Sequence, residues 1–74
     1  MIEVFKTNVE DRVQANLLVD QIHQTYSDYK ANFDLEDCDK ILRVASSTDF
    51  VCADCLINLL QEFGFQAEVL PDDL

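Results

Sequence analysis

The chain has a single glycine, a single proline and only five basic residues in 74. One glycine excludes a glycine-rich loop that cradles phosphate, because such a loop needs several unhindered backbone positions close together. Five Lys and Arg stand against fifteen Asp and Glu, for a formal net charge of −10. That balance repels phosphate backbones and anionic lipid headgroups, so neither nucleic acid nor a membrane surface is an expected partner. No stretch approaches the roughly 18 apolar residues of a membrane span. The opening "MIEVFKTNV" has no basic head leading into an apolar run, so the expected location is cytoplasmic. Three cysteines are an odd number and do not make a disulfide framework; free thiols in a reducing compartment are the expectation.

What is present is apolar patterning. Apolar residues make up 49% of the chain, which argues for a packed core despite the charge. The length suits one domain, 1–74, with a core dense in Leu, Ile, Val and Phe. Residues 1–7, "MIEVFKT", read as a strand. Asn8 is a candidate cap for a helix whose first turn holds Glu10 and Asp11, acids suited to the positive helix end. Val13, Leu17, Leu18, Ile22 and Tyr26 recur at helical spacing and carry that helix to Tyr26. "YKANFDLED" alternates, with Ala31, Phe33 and Leu35 on one side, as a half-buried strand does. "EDCDK" supplies turn residues and "ILRVA" a partner strand, so 30–45 is a hairpin. "SSTD" is a cap cluster ahead of a second helix with the stripe Val51, Cys55, Leu59 and Phe63, and with Leu56 and Leu60 beside it. Gly64 suits a left-handed helix stop, "FQAEVL" a last strand, and Pro71 its end. The order strand, helix, strand, strand, helix, strand implies a ferredoxin-like α+β sandwich. It has a four-stranded antiparallel sheet with two helices on one face.

The whole chain resembles the heavy-metal-associated domain, the fold of small copper chaperones and of metal-pump N-terminal modules. "VFKTNV" is similar to that family's first strand running into its metal loop, "ANFDLEDCDKILRV" to its second hairpin, and "CLINLLQEFGFQAEVL" to its closing helix and strand. The family's two thiolates, which clamp one soft ion, fall on this chain near Asp11 and Gln14, and "EDRVQ" has no glycine. The resemblance therefore implies the fold without the usual metal loop.

A Cys-x-x-Cys does occur, at Cys52 and Cys55. In the inferred topology the two helices begin at opposite ends of the sheet, so this pair lies far from the Asp11 loop. Three readings stand. Cysteine packs as a small apolar residue, and Cys55 shares a stripe with Val51 and Leu59. Alternatively, two sulfurs three residues apart share a helix face and bind soft metal, copper or zinc, with His23 as a third ligand. Or a thiol at a helix N-terminus takes part in redox exchange, against the negative charge of Asp49 and Asp54. Cys38 lies in the acidic turn, at the same end as Glu10 and Asp11. Without calcium-loop spacing, a solvated hairpin is the reading there.

Alternation sends Phe5, Phe33, Leu35, Leu42, Val44, Ala67 and Val69 toward the helices. It leaves Ile2, Val4, Ile41 and Leu70, with Arg43 nearby, on the uncovered sheet face, as a patch for a protein partner or a weak homodimer. The expected function is a small non-catalytic interaction or regulatory module, with no resident cofactor. Soft-metal binding through Cys52, Cys55 and His23 is the alternative, and thiol redox chemistry a further one.

Overall fold

The structure is a computed structural model and describes residues 1–47 and 50–70. Its elements are β1 (Ile2–Thr7), α1 (Arg12–Thr25), β2 (Tyr29–Asp34), β3 (Ile41–Ser46), α2 (Ala53–Glu62) and β4 (Ala67–Val69). The strands form one antiparallel sheet in the order β2-β3-β1-β4, the ferredoxin-like α+β arrangement inferred from the pattern.

Alternation along the central strands decides which face the helices cover. Phe5 pairs with Leu42, and Phe33 lies on the other side of Leu42 in the same row. Val44 stands one row away, and all four residues are buried. From the helices Ala15, Leu18, Ile22, Leu56 and Leu60 close over them. Val9 and Val51 plug the two loops that lead into the helices.

The helix phases differ in part from those expected. On α1 the buried row is Ala15, Leu18 and Ile22, while Val13 is 72% exposed and Leu17 is also exposed. Ala15, Leu18 and Ile22 share one helix face, and with that face turned to the sheet Val13 points to solvent. On α2 the core row is Leu56 and Leu60. Cys55 and Leu59 are half-buried, and Phe63 is exposed. Val69 is likewise exposed on its short edge strand.

The caps also differ. Asp11, not Asn8, is the N-cap of α1, and its carboxylate accepts from the Val13 N–H at 3.0 Å. Asn8 instead bonds Gln66 twice, giving its N–H to the Gln66 carbonyl and accepting the Gln66 N–H at 2.8 Å. It thereby ties the end of β1 to the start of β4. Thr48, Asp49 and Pro71 lie outside the described residues; the N-cap of α2 is Cys52. Gly64, at φ 88°, ends α2 as expected. The Phe65 N–H reaches the Leu60 carbonyl at 2.9 Å and the Gly64 N–H reaches Gln61 at 3.0 Å, the double bond of a Schellman stop.

Thr7 fastens the turn between β2 and β3 to the sheet. Its buried hydroxyl donates to the Lys40 carbonyl at 2.6 Å and accepts from the Val9 N–H at 3.2 Å. Its own N–H donates to Asp39. Replacing Thr7 by Val keeps the shape but leaves the Val9 N–H and Lys40 carbonyl without that partner. The expected loss is about 1–3 kcal/mol, read as a lower urea midpoint with an unchanged slope. Thr7→Ser keeps the hydroxyl and should lose about 1 kcal/mol or less, for one methyl.

Candidate functional site

α2 opens on the cysteine pair. Cys52 and Cys55 are joined by a disulfide, with Cα atoms 5.3 Å apart, and Cys38 is a free, exposed thiol. This corrects the expectation of three free thiols. The spacing explains the bond: three residues of helix bring the two side chains onto one face. Both cysteines are half-buried, so neither is a core residue in the sense of Leu56 or Leu60. Cys52 Sγ accepts from the Cys55 N–H at 3.3 Å, in the position where a cap usually offers oxygen. The Cys52 N–H is itself satisfied from a distant element, by the Tyr29 hydroxyl on β2 at 2.9 Å. Tyr26 stacks on Tyr29 with ring centroids 5.0 Å apart, so the end of α1, the start of β2 and the start of α2 meet at one corner.

Cys55 also borders a cleft between the helices of about 440 Å³, lined by Gln21, Thr25 and Tyr26 of the α1 side and Leu59 and Phe63 of the α2 side. Asn58 and Glu62 complete a lining that is mixed polar and apolar.

His23 lies at the same end of the sheet, bordering a shallow hollow with Tyr29 and Ser47. Its Nε2 accepts the Ala31 N–H at 3.0 Å. That bond satisfies an outward donor of the edge strand β2, a way of closing a sheet edge. The lone pair is therefore occupied, and the disulfide sulfurs are not thiolates. In this oxidised form neither the two sulfurs nor His23 Nε2 is free to ligate. Among the described residues, Asp37, Cys38 and Asp39 bring ligand atoms within 4.8 Å of one another. They occupy the solvent-facing turn at the other end of the sheet. There Asp37 also receives the Asp39 N–H at 2.9 Å, which folds the turn. Asp11 and Gln14, where the family resemblance puts thiolates, are an exposed helix cap and an exposed first-turn residue.

The second site is the face of the sheet that no helix covers. The register sets out its rows: Ile2, Ala45 and Lys30; then Val4, Arg43 and Asn32; then Glu68, Lys6, Ile41 and Asp34. Leu70 continues β4, its N–H bonded to the Val4 carbonyl at 2.9 Å. The expected group Ile2, Val4, Ile41, Arg43 and Leu70 is thus on one face. Ile41 adds little surface, being only 7% exposed and separate from the main core cluster. The apolar surface comes from Ile2, 59% exposed, with Val4 and Leu70 half-buried. Lys6, Lys30 and Arg43 supply three of the chain's five basic residues, against two carboxylates, Asp34 and Glu68. Among the described residues the other carboxylates lie on the helices and loops, except Glu3 on β1.

No protein-family model, no curated protein and no solved structure matches the chain. No helix among the described residues is long and apolar enough to cross a membrane.

The sequence carried no sign of Tyr29 as a partner of Cys52, since 23 residues separate them. Tyr29→Phe removes that acceptor alone. Stability should fall by about 1 kcal/mol, and the Cys52 amide should exchange faster, while the Val13 amide at the far end keeps its rate. Urea denaturation and hydrogen exchange by NMR read the two effects.

Proposed function

We propose that this domain is a small non-catalytic interaction module that receives a protein partner on its open sheet face. The observation that carries this reading is the sorting of charge. In a chain of net charge −10, the uncovered face gathers three basic side chains around Ile2, Val4 and Leu70. The occupant that fits is a protein segment offering apolar side chains flanked by carboxylates. Such a segment is repelled by the rest of the surface, which favours this one face.

Size argues that the contact is transient. Four strands about 4.8 Å apart, over five residues at about 3.3 Å, present roughly 300 Å². A stable complex covers about 800 Å² on each partner. The same figure argues against a firm homodimer through this face. A divergent relationship to the heavy-metal-associated domain is part of this reading, supported by the element order and the hairpin "ANFDLEDCDKILRV". A cytoplasmic location is part of it too: the exposed free thiol of Cys38 fits a reducing compartment, and the Cys52–Cys55 disulfide fits one only as a bond that opens and closes there. We assign it no resident cofactor.

The test uses a synthetic extended peptide alternating Leu with Glu, and a control alternating Leu with Lys. Amide shifts of the full chain should concentrate at Val4, Arg43 and Leu70 with the Glu peptide. The dissociation constant should lie on the order of 10–1000 μM, as for a small transient contact. The Lys peptide should not shift these three amides. Arg43→Glu should abolish the Glu-peptide shifts. Shifts confined to other surfaces, or shifts on this face that follow protein concentration without peptide, overturn the reading; the latter would mean self-association.

A further inference from the structure

We propose that Cys52 and Cys55 form a reversible dithiol–disulfide couple, open to small-molecule thiols through the cleft between α1 and α2. Three observations meet at this pair. The two sulfurs are bonded, and their Cα atoms 5.3 Å apart are held by a helical turn, so oxidised and reduced forms need no rearrangement of the backbone. The Cys52 sulfur sits at the N-terminus of the ten-residue α2, where the Cys55 N–H at 3.3 Å and the positive helix end favour a thiolate against the opposing charge of Asp54 in the first turn. Cys55 lines this open cleft together with Tyr26 and Phe63, which leaves it within reach of a small reagent from solvent.

These features assign the order of events. The thiolate of a small thiol attacks the Cys55 sulfur and forms a mixed disulfide there. The bond between Cys55 and Cys52 breaks, and its electron pair leaves on Cys52, the better-stabilised thiolate. A second molecule of the small thiol attacks the sulfur of the first. This releases Cys55 as a thiolate and the reagent as its own disulfide. Each released cysteine takes up one of the two protons supplied by the reagent thiols. Two electrons pass to the protein, and the reverse sequence with the reagent disulfide restores the bond. Asp54 in the first turn of α2 and Glu62 at the cleft set a negative field against anionic reagents, so a neutral thiol is the better exchange partner.

Cys38 stands at the opposite end of the sheet and takes no part, which makes the experiment clean. Full-length protein carrying Cys38→Ser is equilibrated in buffers of reduced and oxidised dithiothreitol, without denaturant, then acid-quenched, alkylated and weighed. Molecules should carry two alkyl groups or none, and interconvert reversibly across one midpoint while the far-ultraviolet dichroism stays constant. The chain has no tryptophan, and its two tyrosines stack at this corner, so tyrosine emission should change with the same midpoint. With 2-mercaptoethanol, a neutral monothiol, the mixed disulfide trapped early in reduction should map to Cys55. Two outcomes overturn the proposal. In one, the bond is reduced only where urea unfolds the domain, which makes it a fixed staple. In the other, both thiols persist in the most oxidising buffer, which makes the pair packing residues. A trapped adduct on Cys52 overturns the assigned route.

Discussion

The contact between the inner face of β1 and β3 and the two helices governs the rest of the molecule. Phe5, Leu42 and Val44 lie at the centre of the sheet, and Leu18, Ile22, Leu56 and Leu60 press on them from one side. A chain of 74 residues has only enough apolar side chains to close one such layer. The second face of the sheet is therefore left to solvent, and its alternate residues need not be apolar. Lys6, Lys30 and Arg43 occupy it without disturbing the core, because the two-residue period of a strand keeps the faces independent. The open face proposed above as a docking surface is in this sense a by-product of one-sided packing.

The same layer separates the two ends of the domain. β1 and β3 run antiparallel, so α1 starts beyond Thr7 at one end and α2 starts beyond Ser46 at the other. Asp11 and the acidic turn Asp37–Asp39 belong to the first end, where Thr7 binds the turn to the sheet. Cys52, Cys55, Tyr29 and His23 belong to the second. Chemistry at the cysteine pair is thus remote from the loop where the resemblance to metal-binding domains would look for it.

Much of this architecture was legible in the amino-acid order. The alternation in "ANFDL", the apolar run "ILRVA" after a turn, and the lone Gly64 after an apolar helix depend on local rules that tertiary context here leaves intact. The misreadings have tertiary causes. Asn8 has cap chemistry, but β4 passes close enough for Gln66 to take both of its bonds, and Asp11 then caps the helix three residues on. Val13 fits a helical stripe as well as Ala15 does; only the way α1 docks on the sheet decides that Ala15 is buried and Val13 is not. His23 resembled a ligand in isolation, because an unpaired edge donor on β2 is invisible before the strand order is known. The Tyr29 bond to Cys52 was hidden for the same reason: it joins elements distant in sequence.

The cysteine pair is where local rules and local residues disagree. Sulfur is a weak acceptor, and serine, threonine, aspartate or asparagine would cap α2 better than Cys52 does. Nor does packing call for it, since among the described residues the fully buried positions are filled by Phe, Leu, Ile, Val and Ala, while both cysteines stand half-buried. A residue that is neither the best cap nor a core residue breaks two levels of consistency at one spot. Such breaks concentrate at functional positions, because elsewhere a better local choice costs nothing. The spacing that makes the pair unremarkable as packing places two sulfurs on one helix face, at the end where a thiolate is stabilised and beside an open cleft. Thiol exchange uses each of these features, whereas packing uses none of them.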